Sequence, residues 1–552
     1  MKLKNILYSM MMGTAVLTGT TSCVSDLDQY PHTETTSKDV YTSLANYEAV
    51  LGKIYAAMVT SGQGKGGDNK DMESVLNNGS GFDYMRMFIN MQECGTDEFA
   101  STWLTGEQTT GLTYLSWDAN DAWVSDMYYR IYYNIALCNE FLRNANSASF
   151  SGADAEKMKE YKAEVRFMRA LFYYHALDFY RNIPMVTEND PVGSFIPPHY
   201  TPQQTFDYIE SELKDCVGDM LPASTCPYGQ ASQGAAYTLL AKLYLNSEVY
   251  TGVAKYAECK EACEKVMGMG YSLESDYSKL FNADNDKRTN EIIFALPVSA
   301  EHTVSWGSST YLVCGQVSMS NANQNVADYG VTAGWSEFRL RPEFVDKFSQ
   351  TDIDGNGDKR CKFFTNGQSK DVTSMADEAT GYLSEKWSNL KDDGTTASNT
   401  ADAGVETDYP LFRLADVYLM YAECVARLGE DWDNWDGGSD AEAATRKEGA
   451  IYYINKVRER AYGDAEHNVW KDNFASDADF LQFILDERAR ELYHEGYRRT
   501  DLIRFGEFTT NKYIWQWKGG THDGQAVDSK YNIYPIPNTE LTANPNLHND
   551  NY

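Results

Sequence analysis

Cys23 is the residue whose neighbours point most directly to a covalent modification. It follows three small residues, TTS at 20–22, and a lipoprotein signal peptidase needs small residues before a cysteine whose thiol is acylated. Lys2 and Lys4 precede a mostly apolar stretch, 6–17, which is too short to span a membrane and is typical of a signal peptide. The sequence therefore predicts cleavage after residue 22 and a lipid on Cys23. An ordinary signal peptide with a chance cysteine is the alternative.

A seven-residue run, DIDGNGD at 352–358, has the spacing of the first half of a calcium-binding EF-hand loop. In such a loop a glycine at position 6 permits the sharp turn, and a glutamate at position 12 binds the ion with both oxygens. Gly357 occupies position 6, but position 12 is Phe363. An acidic turn is therefore favoured over a calcium site.

The residue patterns of common hydrolases and nucleotide-dependent enzymes are missing from the sequence. It contains no H-E-x-x-H, no G-x-S-x-G and no phosphate-binding loop. With 80 acidic residues, some neighbouring pair such as Asp97 and Glu98 resembles a glycosidase dyad by chance. The acidic and basic residues of 487–492 are expected to form ion pairs within one helix, and His494 is expected to pack at the surface. The sequence predicts a protein with no catalytic residues and no catalytic cofactor.

Composition narrows the classes of partner. The net charge of -32 repels nucleic acid and leaves no basic patch for anionic lipid. After the signal peptide no stretch offers the roughly 18 apolar residues that a membrane span needs. The 39 tyrosines and 11 tryptophans suit recognition surfaces, because their rings combine an apolar face with a polar edge.

The cysteines do not form a recognisable framework. There are ten in all, and removing Cys23 leaves an odd number, scattered without a C-x-x-C pair or a Cys/His cluster. A disulfide scaffold or a zinc site is therefore not expected, and most of these cysteines are predicted to be buried as small hydrophobic residues.

Helices must position whatever site the chain carries. Apolar residues recur at i, i+3, i+4 and i+7 in five stretches, which predicts amphipathic helices: 121–144, 155–180, 233–247, 411–428 and 480–493. Small residues beside large ones, such as Ala235 and Ala422, suggest helices that approach closely, as in degenerate helical repeats. Residues 24–40 are polar and predict a tether, whereas 265–405 are rich in loops and are where surface function is expected.

Seven segments, in order, resemble the SusD/RagB family of outer-membrane nutrient-binding lipoproteins. They are AEVRFMRALFYYHALDFYRNIPMV (163–186), AAYTLLAKLYLNSEVYTG (235–252), NEIIFALP (290–297), YPLFRLADVYLMYAECVARLG (409–429), AIYYINKVRERAYG (450–463), ERARELYHEGYRRTDLIRFGEF (487–508) and YPIPNTELTANPNL (534–547). Further segments look closer to the starch-binding founder of the family: TDEFASTWLTG (96–106), LFNADND (280–286), GSSTYLVCG (307–315) and FTTNKYIWQWKGG (508–520).

The resemblance implies a mainly α fold in which degenerate tetratricopeptide-like helical pairs support a loop-rich, ligand-binding face. It divides the chain into a signal peptide (1–22), an acylated N-terminus with tether (23–40) and one SusD-like domain (41–552). It also implies a partner, a SusC-like TonB-dependent transporter that the lipoprotein covers as a lid. The segment VSDLD after Cys23 resembles the signal that sends such lipoproteins to the cell surface.

The resemblance also implies a glycan site. Trp103, Trp306 and Trp335 align with the aromatic residues on which the founder stacks sugar rings, and Arg86 aligns with one of its polar ligand contacts. The chain departs from the founder at Gly106, where an asparagine is expected, and this weakens any inference about fine specificity. Packing of each tryptophan in the core is the alternative.

A calcium site is implied in the same way. Asp286, Glu406 and Asp408 match positions that bind a structural calcium in the founder, and three oxygen ligands from distant segments would fix loops to the scaffold. Solvated acidic loops are the alternative.

Together these features predict a lipid-anchored protein on the outside of the outer membrane. It is expected to capture starch or maltooligosaccharides and to deliver them to its transporter. The alternatives are a helical scaffold that serves mainly as a lid and binds another oligosaccharide or nutrient, and a glycoside hydrolase.

Overall fold

The computed structural model describes residues 37–64, 71–72, 76, 82–193, 195–399, 404–432, 449–550 and 552. The chain divides into two compact units, Met1–Ala49 and Val50–Tyr552. The first is described only from residue 37, where the last residues of the predicted tether form a short helix. The predicted signal peptide and Cys23 lie outside the described residues.

Helices dominate the described chain. In chain order the α-helices are α1 (Ser37–Val40), α2 (Leu44–Ala56), α3 (Tyr84–Glu93), α4 (Thr110–Tyr114), α5 (Ala122–Ser147), α6 (Ala153–Tyr180), α7 (Pro202–Cys216), α8 (Gln233–Leu245), α9 (Ser247–Thr251), α10 (Tyr256–Met267), α11 (Ser308–Gly315), α12 (Pro342–Val345), α13 (Gln350–Ile353), α14 (Leu414–Arg427), α15 (Ala450–Tyr462), α16 (Asp477–Leu492), α17 (Arg498–Arg504) and α18 (Asn538–Ala543). Short 3-10 turns lie at Val217–Asp219, Tyr277–Leu280, Asn285–Lys287, Val326–Tyr329, Lys471–Asn473, Lys518–Gly520 and Ser529–Asn532.

The longer helices pack side by side. Helix α5 packs on α6, α6 on α7, α8 on α10, and α14 on α10, α15 and α16. Fully buried alanines such as Ala236 and Ala422 lie on α8 and α14 and let these helices approach closely. The mainly α fold is therefore confirmed.

Helix α6 differs from the expectation of a single buried face. Every residue from 167 to 180 is buried, because α6 lies between α5 and α7 and its C-terminal half contacts protein on all sides. The polar side chains on the other faces of this helix are therefore buried too. They are paired inside the protein, as in Asp178 with Arg499 at 3.0 Å.

Strands are short and occur as antiparallel pairs. They are β1 (Ala100–Ser101), β2 (Ile183–Pro184), β3 (His199–Tyr200), β4 (Ile292–Leu296), β5 (Phe338–Arg339), β6 (Phe363–Phe364), β7 (Leu383–Ser384) and β8 (Tyr409–Arg413), paired β1–β5, β2–β3, β4–β8 and β6–β7. The predicted helical start at 411 is wrong, because residues 409–413 pair with β4 and α14 begins at Leu414.

Helix α16 carries the charged run whose ion pairs were expected within one helix. One such pair exists, Arg490 with Glu487 at 2.7 Å. Glu491, however, pairs with Arg413 of β8 at 2.5 Å and with Arg360 at 3.3 Å, and these three side chains are fully buried. The expectation was therefore wrong for most of the run, because these charges join segments that are distant in sequence.

His494 also departs from its predicted place at the surface. It is 0% exposed, has a positive φ of 57°, and its ring lies 5.0 Å from that of Phe338. Its Nε2 is 2.9 Å from the carbonyl oxygen of Glu98, and burial lowers its pKa to about 3. His494 is thus a core residue that joins the end of α16 to the segment before β1.

The DIDGNGD run forms an acidic turn, the favoured alternative. The Asp352 carboxylate accepts hydrogen bonds from the backbone N–H of Ser349 (2.8 Å) and of Asp358 (2.7 Å). The Asp358 carboxylate pairs with Arg360 at 2.5 Å. Both acids therefore serve the fold of this loop.

The nine cysteines among the described residues are free thiols, and seven of them are buried. Within the described part of the chain, no helix combines the length and the apolar character required to cross a membrane.

Candidate functional site

The three predicted tryptophans come together on one surface. The indole Nε1 of Trp103 donates to the carbonyl oxygen of Trp335 at 3.0 Å, and the rings of Trp306 and Trp335 are 6.0 Å apart at an angle of 37°. Trp103 is 40% exposed and Trp306 38%, while Trp335 is half-buried. The three indoles therefore lie together, with two of them exposed and two of the rings inclined to each other, and this group is called here the tryptophan platform.

Pairing of β1 with β5 holds two of the three loops together. Trp103 follows β1 and Trp335 precedes β5, and the N–H of Thr102 donates to the carbonyl of Glu337 at 2.8 Å. Gly334, next to Trp335, has no room for a side chain, because a Cβ there would lie 2.6 Å from the carbonyl oxygen of Val317. This close approach fixes the path of the Trp335 loop.

Asp83 holds the third loop. Its carboxylate caps α3 by accepting from the N–H of Arg86 at 2.8 Å, and it also accepts from the hydroxyls of Ser305 and Ser308 at 2.6 Å each. A side chain on Gly307 would collide with this carboxylate at 2.1 Å. Asp83 therefore couples the start of α3 to the loop of Trp306. The sequence analysis did not identify this residue.

Arg86 lies beneath the platform and is 2% exposed. Its guanidinium donates to the carbonyl oxygen of Trp306 at 2.8 Å, forms an ion pair with Glu107, and lies 3.7 Å from Glu337. Burial lowers its pKa, but the charges of Glu107 and Glu337 outweigh this effect and raise it. Direct contact between Arg86 and a ligand stays a prediction. In this structure its Nη1 and Nη2 groups engage the loops that carry Trp306 and Trp103.

Glu107 and Glu337 are members of the site that the sequence analysis missed. Burial raises the pKa of Glu337 to about 8, with a further increase from Glu107 and a decrease from Arg86. The carbonyl of Glu107 also accepts from the indole Nε1 of Trp123 at 2.7 Å. The one signal available was the position of Glu107 directly after Gly106, where the chain departs from the founder.

Asp97 and Glu98 are buried and do not present a solvent-facing carboxylate pair. Asp97 accepts two hydrogen bonds from Arg498, at 2.7 and 2.8 Å, which together with the other charges around it lower its pKa despite burial. Burial raises the pKa of Glu98, with further increases from Glu93 and Asp97. The pair contributes to the core and not to an open cleft.

The three acids of the predicted calcium site belong to neighbouring segments. Asn285 bonds the backbone of Asp408 at both its N–H (3.1 Å) and its carbonyl (2.9 Å), which brings Asp286 next to the 406–408 segment. Burial raises the pKa of Asp408 to about 7, and the charges of Asp286 and Glu406 add to this.

The carboxylates of Asp286, Glu406 and Asp408 are not arranged around one position as metal ligands would be. Asp408 accepts from the N–H of Val298 (2.7 Å) and from the hydroxyl of Tyr228 (2.8 Å), and Glu406 accepts from the N–H of Ala300 (3.1 Å). Within the described residues, no three acidic, histidine or cysteine side chains are placed to hold one metal ion. A cation would relieve the mutual repulsion of Asp286, Glu406 and Asp408. The charge of this region therefore suits a cation, whereas the positions of the side chains do not form a metal site.

Comparison with known proteins places the chain in a family. Residues 352–552 match the model of the SusD family, and residues 27–245 match a model described as starch-binding and associating with the outer membrane. The starch-binding protein SusD of Bacteroides thetaiotaomicron is 33% identical over 99% of this chain and 99% of its own length. The SusD-like protein P25 of Formosa agariphila is 26% identical over 78% of each chain.

Solved structures share the fold. A SusD superfamily protein from Parabacteroides distasonis superposes with a TM-score of 0.66 at 22% identity, covering 94% of this chain and 100% of that one. The surface glycan-binding protein A of Bacteroides thetaiotaomicron, solved with laminarihexaose, gives 0.65 at 17% identity, covering 92% and 99%. With 33% identity to the Bacteroides SusD over almost its whole length and a shared fold, the chain belongs to the SusD family.

Proposed function

We propose that this protein binds starch or maltooligosaccharides at the tryptophan platform and is not an enzyme. The observation that carries the proposal is the platform itself, in which two exposed indoles and a third, half-buried one come from three distant loops. Trp103 and Trp306 keep 40% and 38% of their surface exposed, so these two rings contribute little to the core. They suit the apolar C–H face of a pyranose.

The curvature of the platform favours an α-linked glucan. The rings of Trp306 and Trp335 are inclined by 37°, so a ligand that stacks on both must bend. An α-1,4-glucan is helical and bends in this way, whereas a flat β-glucan would fit a flat surface. The similarity to a starch-binding relative of nearly equal length supports the same ligand.

Magnitudes indicate weak binding. One pyranose face hides about 50–80 Å² of apolar surface, which contributes about 1–2 kcal/mol at 25 cal/mol/Å². Three rings contribute about 3–6 kcal/mol before polar contacts and ordering, which corresponds to dissociation constants from several millimolar down to tens of micromolar. Weak binding suits a protein that must release its ligand.

The family supports a proposal about the anchoring and the partner of this chain. Association with the outer membrane is part of the description of one matching family model. We infer that the chain is anchored at the cell surface through acylated Cys23 and that it delivers the glycan to a SusC-like TonB-dependent transporter. A lid that binds another oligosaccharide, with the helical scaffold as its main contact surface, is the second candidate function.

Affinity electrophoresis tests the ligand. Migration through native gels that contain amylopectin, pullulan, dextran or laminarin should be retarded by the two α-1,4-containing polymers and unchanged by the β-glucan. Equal mobility in all gels would contradict starch binding. Retardation by laminarin alone would keep the aromatic site but refute the ligand.

Replacement of Cys23 by alanine is expected to release the protein from membranes or to leave it unprocessed, because the acylated thiol is its predicted anchor. The measurement is fractionation of outer membranes followed by immunoblotting, with the intact protein in parallel. Full retention of Cys23→Ala in the outer membrane would contradict lipid anchoring at this residue. Cys226→Ala, at a half-buried thiol outside the signal region, serves as the matched control.

Calcium is proposed to stabilise the 286/406–408 region. At concentrations about 100-fold above its dissociation constant, a ligand that binds only the folded state adds about 2.7 kcal/mol to the free energy of unfolding. Calcium should therefore raise the melting temperature of the EDTA-treated protein, and Asp408→Asn should remove most of this increase. An equal increase in both proteins would show that calcium binds elsewhere. Asp354→Asn, on an exposed acidic turn, is the control.

A further inference from the structure

A pocket lies on the helical part of the fold, on elements that carry none of the three tryptophans. Its volume is about 630 Å³, within the range of about 300–1,000 Å³ that is usual for small-ligand sites. It is formed by the end of α10, residues 272–275, Lys359, Tyr418 of α14, and α15 with the residue after it. This pocket is called here the tyrosine pocket.

Three tyrosine rings line this pocket. The rings of Tyr418 and Tyr453 are 4.6 Å apart, and those of Tyr452 and Tyr453 are 5.1 Å apart and nearly perpendicular. Tyr453 is buried and supports the other two, while Tyr452 is 36% exposed. An exposed ring that rests on a buried one offers a fixed apolar surface for stacking.

Polar groups of both signs surround the rings. Lys359 and Lys456 lie in the wall with Glu274 and Glu459, and Lys456 pairs with Glu459 at 3.2 Å. Two ammonium groups are thus balanced by two carboxylates. An anionic ligand would need an excess of positive charge, whereas a neutral sugar hydroxyl both donates and accepts hydrogen bonds and suits this mixture.

The remaining cation of the wall does not change this balance. Arg460 is almost fully buried and pairs with Glu291 at 3.3 Å and with Glu491. Its charge is therefore neutralised inside the protein. The ligand class that fits the tyrosine pocket is a neutral, polyhydroxylated molecule with an apolar face.

Contacts with the protein core fix the wall of the tyrosine pocket that contains Lys359. Lys359 donates its backbone N–H to the carbonyl of Ala461 at 2.9 Å, and the next residue, Arg360, is anchored in the buried charge cluster through Glu487 at 2.6 Å. Gly463 has a φ of 86°, and a Cβ there would lie 2.8 Å from the Lys359 Nζ. The pocket is therefore preformed, and its side chains would lose little conformational entropy when a ligand binds.

We propose that the tyrosine pocket is a second carbohydrate-binding site, which holds a neutral oligosaccharide segment by stacking on Tyr452. The proposal rests on the proposed glycan-binding function and extends it to a separate surface. Two weak sites on one chain bind a long polysaccharide more strongly than either alone, because the second contact is intramolecular. A short oligosaccharide gains nothing from this effect.

Saturation-transfer NMR, which detects millimolar binding, separates the two sites. The probes are maltoheptaose, cellohexaose and laminarihexaose, and the background is Trp103→Ala/Trp306→Ala/Trp335→Ala. At least one probe is expected to keep a millimolar signal in this background. Adding Tyr452→Ala should weaken that signal at least ten-fold, and Tyr452→Phe should restore it because the ring remains.

The matched control is Tyr237→Ala. Tyr237 is a half-buried tyrosine of α8 with Lys265 near its ring at 5.7 Å, as Lys456 lies near Tyr452 at 5.2 Å, but it lies outside the tyrosine pocket. It should leave the signal unchanged. An absent signal in the platform-free background, or equal signals with and without Tyr452→Ala, would overturn the second site. Failure of the proposed function is a different result, in which the three tryptophan replacements leave starch binding of the intact protein unchanged.

Discussion

Replacement of Trp103, Trp306 and Trp335 by alanine together is expected to lower starch affinity at least 100-fold, below detection in affinity gels. Each single replacement should cost about 1–2 kcal/mol, a five- to thirty-fold loss, because each removes one stacking surface. The protein should stay folded, since Trp103 and Trp306 are 40% and 38% exposed and contribute little to the core. Isothermal titration with maltoheptaose and far-ultraviolet circular dichroism measure the two effects.

Trp470→Ala is the matched control, because Trp470 is a half-buried indole that belongs to none of the three loops. It should leave binding unchanged. If the three tryptophans were core residues, each truncation would lower the free energy of unfolding by about 3–5 kcal/mol, and the melting temperature would fall first. Tight starch binding by a well-folded triple variant would show that the ligand binds elsewhere.

Arg413→Met is expected to lower the free energy of unfolding by about 3–5 kcal/mol, because three buried carboxylates would each lose one of their cationic partners. Arg413 lies fully buried in β8 and pairs with Glu291 (3.1 Å), Glu491 (2.5 Å) and Glu495 (2.7 Å). Glu491 has a pKa lowered to about 2: burial alone would raise it, but Arg460, Arg413 and Arg360 outweigh that effect. Urea denaturation followed by circular dichroism measures the change.

A double-mutant cycle separates the energy of the charge interaction between Arg413 and Glu491 from the loss of packing around Arg413. Glu491→Gln added to Arg413→Met should recover part of the loss, because it removes the repulsion between Glu491 and Glu291 that Arg413 had balanced. The matched control is Lys157→Met, which breaks a pair between half-exposed side chains, Lys157 and Glu160 at 2.7 Å, and should cost less than about 1 kcal/mol. Equal losses for Lys157→Met and Arg413→Met would mean that the buried cluster contributes no more than an exposed pair.

The buried ion pairs of Arg413, Arg360, Glu487 and Glu491 also support both candidate ligand sites. Arg360 pairs with Glu487 of α16 and so fixes the segment that carries Lys359 of the tyrosine pocket. Helix α16 is followed by His494, which contacts the segment before β1. Strand β1 leads directly to Trp103. Loosening this cluster is therefore expected to disturb both sites, so binding of the Arg413→Met variant is informative only where it is shown to be folded.

Local patterns were enough to predict the long helices. The periods that mark 121–144, 155–180 and 233–247 arise from contacts three and four residues apart, and the observed helices begin and end within a few residues of those limits. Family resemblance brought Trp103, Trp306 and Trp335 together as candidates, and the structure places them side by side. Their role in binding stays a prediction.

Tertiary structure decided what local patterns could not reach. Leu411 has the spacing of a helix start, yet its segment pairs with β4, more than 100 residues earlier in the chain. His494 and Glu491 have the polarity of surface residues but are buried, because partners such as Glu98 and Arg413 come from distant segments and satisfy their polar groups. Arg86 has the chemistry of a ligand contact but lies beneath the platform. The sequence by itself determined the helices, the family and the aromatic residues, because neighbouring residues carry these signals. Which charges are buried, and which rings reach solvent, depended on long-range packing.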